Sequence, residues 1–248
     1  MRAPLIPGLA LAMMITACGG DPAAEAGQAE RAEREARQAH EREIRDWRAT
    51  RQERLLRPDG WLSLVGLHWI TPGTTFIGSA RENGTRLSLG PPQLGMLTLG
   101  KDGAARLEIA EGAGVLVDGE PAEGTVELVS DAKGEPTVVA FNRGDASFIL
   151  IERSGRFALR VRNAMARTRT SFPGIEYFDI NPGFRFTARF EPHPPGKTMD
   201  IVNMLGMIDP MPNPGRVLFE KDGATYSLEA LDEGDGQLFF VFADRTSG

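Results

Sequence analysis

Residues 154–162 read SGRFALRVR, a tight-turn signal followed by seven positions in which large apolar residues alternate with arginine or alanine. Successive side chains of a β-strand point to opposite faces of the sheet, so this strand has one apolar and one cationic face. The apolar face carries Phe157, Leu159 and Val161, and the cationic face carries Arg156, Arg160 and Arg162. The stretch therefore predicts a strand that begins after a turn and packs one face on the core.

The same type of pattern recurs throughout residues 58–248. Short apolar or alternating runs are separated by turn signals such as Lys101-Asp102-Gly103, Asp118-Gly119 and Lys221-Asp222-Gly223. The chain has 29 glycines and 17 prolines, and helical periodicity is absent after Leu56. We expect an all-β domain here, an antiparallel β-sandwich or barrel that forms one core or two abutting β-subdomains.

One long helix is expected before the β-rich domain. Residues 29–57 are mostly Ala, Glu, Arg and Gln, which are strong helix formers, and Glu precedes Arg by four positions at three places. These pairs are Glu30/Arg34, Glu33/Arg37 and Glu41/Arg45. Large apolar residues such as Trp47 come only near the end, which predicts that the last turns dock on the domain. Residues 18–28 are predicted to form a flexible leash.

The first 17 residues are typical of an export signal. Arg2 precedes an apolar run over residues 5–15, and small residues come just before Cys18. The segment Ile15-Thr16-Ala17-Cys18 resembles the lipobox of bacterial lipoproteins, which implies that residues 1–17 are removed and that Cys18 is lipidated. We expect an exported protein that is lipid-anchored to the cell envelope, at the outer membrane and facing the periplasm.

Composition and charge argue against several other classes of function. The chain of 248 residues has a net charge of −6, whereas a nucleic-acid binder needs a cationic surface. Cys18 is the only cysteine, so neither an intrachain disulfide nor a cysteine-rich metal centre can form in the domain. The histidines His40, His68 and His193 are far apart, and glycine-rich nucleotide motifs are absent. We therefore expect no metal and no cofactor.

Most of the chain, from about Trp47 to the end, resembles a family of bacterial and archaeal proteins catalogued as domain of unknown function 1684. The stretches that carry the resemblance are residues 59–69 (DGWLSLVGLHW), 76–79 (FIGS), 159–162 (LRVR), 172–178 (FPGIEYF) and 240–248 (FVFADRTSG). The family has no established activity, so the resemblance implies a β-rich domain and little chemistry. Family members usually continue into a further tail, which implies that residues 58–248 are a C-terminally truncated domain. Residues 238–242 are apolar on both faces, which suits a central strand that the missing strands would cover.

A second resemblance concerns the first part of the domain. Residues 76–79 (FIGS), 83–89 (NGTRLSL) and 115–121 (VLVDGEP) are similar to the strand and turn order of forkhead-associated β-sandwiches. The phosphothreonine-reading residues of that family are not carried over. Its arginine after the glycine corresponds to Ser79, and no Ser-x-x-His occurs between Leu89 and Leu107.

The arginines of the opening stretch are the best polar candidates for a site. Together with Arg167 and Arg169, Arg160 and Arg162 could bind an anion or a carboxylate, because guanidinium groups bind both bidentately. Glu176 and Asp244 are weaker candidates for acid–base catalysis. His68 is interpreted as a core histidine and His193 as part of a surface turn.

Three functions remain open at this point. The first is a lipid-anchored envelope domain that binds a small anionic ligand or an envelope partner. The second is a metal-independent hydrolase that uses Asp244 and an arginine and is completed by the missing tail, and the third is a structural role in envelope assembly. A pocket in which Arg160, Asp244 and Glu176 converge would favour the enzyme, whereas a flat arginine strand would favour partner binding.

Overall fold

The computed structural model describes residues 22–202, 206–234 and 236–242. The chain divides into two compact units, Met1–Asp46 and Trp47–Gly248. The described part of the first unit is helical, and the described part of the second unit is mostly β-strand.

Helix α1 runs from Pro22 to Leu56. It begins before the predicted start at Ala29, so the expected leash is wrong for residues 22–28. Proline suits the first position of a helix because its φ is already helical and it needs no N–H partner there, and the alanines and glutamate that follow favour helix. Among the described residues, no helix is both long enough and apolar enough to cross a membrane.

Six strands of the second unit form an antiparallel sheet. Their bounds are β1 Leu64–Ile70, β6 Leu116–Val117, β7 Glu120–Pro121, β9 Val139–Phe141, β10 Ala146–Arg153 and β11 Arg156–Asn163. The order across the sheet is β1-β11-β10-β9-β6-β7. Strands β10 and β11 are joined by Ser154 and Gly155, both with positive φ, which is the turn geometry that matches the twist of a hairpin. The predicted strand after Ser154-Gly155 is confirmed.

Five further strands form a second sheet. Their bounds are β2 Gly73–Gly78, β3 Thr85–Arg86, β4 Gly95–Leu99, β5 Ala105–Ile109 and β8 Thr125–Leu128. The order is β3-β2-β4-β5-β8, and every pair is antiparallel except the short parallel pair of β2 and β3.

The two sheets share one hydrophobic core. Leu97 and Leu107 of the five-stranded sheet belong to the same buried cluster as Phe148, Leu159 and Val161 of the six-stranded sheet. Both sheets are open among the described residues, so the layered sandwich describes them and the barrel does not.

The remaining strands form a smaller sheet and a hairpin. Their bounds are β12 Arg189–Pro192, β13 Thr198–Val202, β14 Ile208–Pro212, β15 Gly215–Lys221, β16 Ala224–Asp232 and β17 Leu238–Phe240. The sheet order is β12-β15-β16-β17, and β13 pairs with β14 alone. Strand β14 contains Pro210 and Pro212, and prolines are tolerated in a two-stranded hairpin because each strand is an edge.

Within the described residues, β17 lies at one side of its sheet and pairs only with β16, and Phe239 and Phe242 are exposed. A central strand was expected here on condition that further strands cover it, so that expectation stays a prediction. One further expectation differs from the structure. Helix α2 spans Arg167–Thr170, where a loop was expected. One turn of helix forms because the N–H groups of Thr170 and Ser171 reach the carbonyls of Ala166 and Arg167.

Candidate functional site

The outer face of the six-stranded sheet combines arginines with a small apolar patch. The register places Arg160 between Leu67 on β1 and Ile149 on β10, and Ala158 between Trp69 and Ile151. Ile149, Ile151 and Ala158 form a buried cluster with Leu67 and Trp69 packed against it. Arg153, Arg156, Arg160 and Arg162 share this face by strand alternation, and we call these four residues the arginine face.

Arg153 is the arginine of this face that has a carboxylate partner. Its two terminal nitrogens donate to the two oxygens of Asp131, at 3.0 and 2.8 Å. The backbone N–H of Glu152 donates to the same carboxylate at 3.0 Å. Partial burial opposes ionisation of Asp131, but these hydrogen bonds outweigh it and lower the pKa of the carboxyl. The Arg153–Asp131 pair is therefore already neutralised.

Arg160 and Arg162 lack such a partner. Neither side chain makes a hydrogen bond or an ion pair with the described part of the chain, and Nε of Arg162 is buried without a partner. Burial is the main cause that lowers the pKa of Arg160. The charge of Arg153 lowers this pKa further, Asp131 opposes it, and Arg162 adds the smallest lowering effect. Two partly buried cations thus lie two positions apart on one strand, about 7 Å along its length.

A nearby carboxylate, Asp59, is engaged elsewhere. Both of its oxygens accept hydrogen bonds from Arg57, at 2.9 Å each. These bonds are the main cause of the lowered pKa of Asp59, and the charge of Arg162 contributes only weakly. At the other end of the face, the guanidinium of Arg156 lies over the ring of Trp69, 4.1 Å from its centroid, in a cation–π contact.

The structure places Arg167 and Arg169 on helix α2, away from strand β11. Arg169 donates from Nε to the carbonyl of Leu56 at 2.7 Å and from a terminal nitrogen to the carbonyl of Ala164 at 2.6 Å. It therefore binds one of the last carbonyls of helix α1, which have no partner within the helix. Arg167 lies on the same helical turn. It is exposed and has no hydrogen-bond or ion-pair partner among the described residues.

Of the two acid–base candidates, the structure describes Glu176 and does not join it to the arginines. Glu176 is exposed, and no hydrogen bond or ion pair joins it to Arg160. Asp244 and Cys18 lie outside the described residues. The neighbour of Glu176, Tyr177, packs edge-on against Trp47 with ring centroids 6.2 Å apart, and Arg48 lies 4.5 Å from its centroid.

The histidines occupy two different environments. His68 lies on the core side of β1, opposite Leu159, and burial lowers the pKa of its imidazole. His193 belongs to a polar cluster that sequence reasoning missed. Its Nε2 lies 2.9 Å from a carboxylate oxygen of Glu229 and 2.9 Å from Nζ of Lys197.

Asn213 completes this second cluster. Its side chain is buried and donates from Nδ2 to Glu229 at 2.7 Å, while its carboxamide oxygen has no partner among the described residues. The donors lower the pKa of Glu229, with Asn213 contributing most and His193 next. The four residues tie the turn after β12 to strand β16, so the cluster supports the small sheet. No group of three or more His, Cys, Asp or Glu that could hold a metal ion occurs in the described part of the chain.

The His193 cluster and the small sheet fall within the part of the chain that is similar to known proteins. Residues 170–248 match the family model described as protein of unknown function (DUF1684). The DUF1684 match covers strands β12 to β17, whereas the arginine face on β10 and β11 precedes it. No curated protein matches the chain.

Proposed function

We propose that the protein is a binding domain of the cell envelope that takes up an anionic group at Arg160 and Arg162. The observation that carries this proposal is that both guanidinium groups lack a counterion among the described residues while the neighbouring Arg153 has one. Partly buried like charges are unfavourable side by side unless an opposite charge joins them. A ligand that brings the missing negative charge therefore gains most of its binding energy at this point.

The chemistry of the two side chains favours a carboxylate or a phosphate. A guanidinium group donates two parallel hydrogen bonds to either anion, and such charge-assisted bonds are stronger than neutral ones. The apolar patch of Trp69 and Leu67 beside Arg160 offers contact to an uncharged part of the ligand. The arginines lie along an open strand face, which favours an anionic segment of an envelope partner over a small enclosed ligand.

We also propose a type of β-sandwich and a cellular location for the protein. We propose that residues 64–163 form a sandwich of the forkhead-associated type; two open sheets packed on one core support this. The protein is proposed to be exported and held at the outer membrane by lipid on Cys18, on the basis of the export signal and the lipobox-like segment. The hydrolase alternative gains no support from the described residues, because Glu176 forms no hydrogen bond or ion pair with Arg160 or Arg162.

The proposal is tested by calorimetric titration of the soluble chain without its signal segment, using hexaglutamate and a short polyphosphate as probes. We expect at least one probe to bind at low ionic strength, more weakly as salt is added. The double variant Arg160→Ala/Arg162→Ala is expected to lose about tenfold or more in affinity, because a hydrogen bond to a charged group contributes roughly 1.5–3 kcal/mol.

The matched control is the double variant Arg81→Ala/Arg106→Ala, which removes the same two positive charges from exposed positions outside the arginine face. It is expected to bind like the unchanged protein. Equal loss in the control and in Arg160→Ala/Arg162→Ala would mean that net charge alone attracts the probe, and no binding of either probe would refute the anion site.

A further inference from the structure

A cavity opens on the outer face of the five-stranded sheet, on the opposite side of the sandwich core from the arginine face. Its volume is about 430 Å³. The residues that line it are Phe76, Glu82, Asn83, Gln93, Gly95, Met96, Glu108, Ile109 and Ala110. Nothing in the sequence patterns singled out this site.

Strand register builds one wall of the cavity. Phe76 on β2, Met96 on β4 and Glu108 on β5 stand opposite one another across three neighbouring strands. Gly95 lets strands β4 and β5 approach closely beside them, because a Cβ at that position would lie 2.3 Å from the carbonyl oxygen of Glu108. Phe76 is 58% exposed, so its ring presents an apolar surface to the cavity side of the sheet.

The segment after β2 supplies the other wall. Nδ2 of Asn83 donates to the carbonyl of Pro92 at 2.7 Å and fixes the segment in place. The side chain of Asn83 is more than nine-tenths buried, yet its carboxamide oxygen has no hydrogen-bond partner among the described residues. A buried acceptor without a donor is costly, so this position would gain from an N–H group.

The ionisable side chains that line the cavity are both acidic. Glu82 and Glu108 are its two ionisable lining residues, and neither forms an ion pair or a side-chain hydrogen bond with the described part of the chain. The site thus offers two carboxylates, an aromatic ring and a methionine side chain next to the unpartnered buried oxygen of Asn83. An ammonium group fits this set because it has three donors and is attracted to the face of an aromatic ring.

We infer that this cavity binds a primary alkylammonium group, with the charged end between Glu82 and Glu108 and the alkyl stem against Phe76 and Met96. The ligand is either a free small amine or the side chain of a lysine in a partner. The site has the opposite charge preference to the proposed anion site and uses different residues, so either site can be present without the other.

The test is a titration of the soluble chain followed by backbone amide chemical shifts, with n-pentylamine as the probe and 1-pentanol as the neutral analogue. We expect saturable shifts at Gly95 and Glu108 with the amine and none with the alcohol. The double variant Glu82→Gln/Glu108→Gln is expected to lose about tenfold or more in affinity, because it removes both charges while keeping the side-chain shape.

Glu127→Gln is the matched control, since Glu127 is an exposed carboxylate on β8 of the same sheet and does not line the cavity. It is expected to bind the amine normally. Thermal unfolding of each variant checks that the fold is retained. A second titration with N-acetyl-lysine methylamide separates the two sources, because tighter binding of this probe assigns the site to a lysine side chain and tighter binding of pentylamine assigns it to a free amine.

Three outcomes would overturn the inference. Equal shifts with 1-pentanol would show an apolar site without charge recognition. Unchanged amine affinity in the folded double variant would show that the carboxylates do not bind the ammonium group. The absence of saturable shifts with both amine probes would show that the cavity does not take this class of ligand.

Discussion

At the scale of single residues, the pKa of Glu229 is set by its polar partners. Three polar side chains surround its carboxylate: Asn213, His193 and Lys197, the last with Nζ 3.7 Å from the oxygen. Asn213 and His193 lower the pKa of Glu229 below its ordinary value. A carboxyl with a lowered folded-state pKa stabilises the protein above its unfolded pKa and loses that contribution as the pH falls through the folded value.

We predict that Glu229→Gln lowers the free energy of unfolding at neutral pH and that the difference from the unchanged protein disappears as the pH falls through the lowered folded-state pKa of Glu229. The loss should stay below about 1 kcal/mol, because partly exposed ion pairs are screened by solvent. Urea unfolding of both proteins at several pH values measures the difference. The exposed Glu127→Gln serves as the control, and a Glu229→Gln penalty that persists unchanged at low pH would contradict the linkage.

At the scale of elements, the end of helix α1 is held to the second unit by specific contacts rather than by a broad apolar stripe. Arg48 donates to the carbonyl of Phe178 at 2.7 Å and lies over the ring of Tyr177. Arg169 donates to the carbonyl of Leu56 at the helix end. Trp47 adds the edge-on ring contact with Tyr177. The helix residues from Trp47 onward are therefore part of the folded unit.

We predict that Trp47→Ala lowers the free energy of unfolding of the second unit by about 1 kcal/mol, the typical contribution of an aromatic pair. The effect is moderate because the Trp47 side chain is 51% exposed. Thermal unfolding followed by circular dichroism measures it. Trp61→Ala is the control, since Trp61 is similarly exposed and has no ring contact within the described residues. Equal stability of Trp47→Ala and the unchanged protein would show that this contact does not hold the helix.

At the scale of the whole molecule, the two outer faces of the sandwich differ in charge. Among the described residues, the six-stranded sheet presents Arg160 and Arg162 without counterions, and the five-stranded sheet presents Glu82 and Glu108 at its cavity. If both proposed sites are present, the protein would bind two groups of opposite charge. The proposed lipid on Cys18 would keep the protein at the membrane, because acyl chains on a lipoprotein give stable membrane attachment.

We predict that the unchanged protein sediments with membranes and that Cys18→Ser is released or accumulates with its signal segment uncleaved. The reason is that the thiol of Cys18 is the only acceptor for the lipid in the chain. Cell fractionation and the apparent mass of each form provide the measurement. Ala17→Gly, which keeps a small residue before the cysteine, should behave like the unchanged protein. Membrane attachment and processing that are unaffected in Cys18→Ser would refute the lipoprotein assignment.

Local patterns in the sequence determined the type of most elements. The alternation in residues 156–162 predicted which face of β11 is buried, because side-chain direction in a strand follows position alone. Helix α1 followed from composition, although its start was placed too late because the preference of Pro22 for a first helical position was overlooked. The candidate arginines were also visible in the sequence, since they lie on one strand.

The tertiary structure decided which side chains meet. Asp131 neutralises Arg153 across 22 positions, and His193 reaches Glu229 across 36. The cavity at Phe76 and Glu108 depends on the register of three strands. Strand register is set by the packing of a common core and by turns far apart in the chain, so residue spacing does not reveal it. For this reason the sequence determined the strand faces and the helix, whereas the separation of paired from unpaired charges came only with the fold.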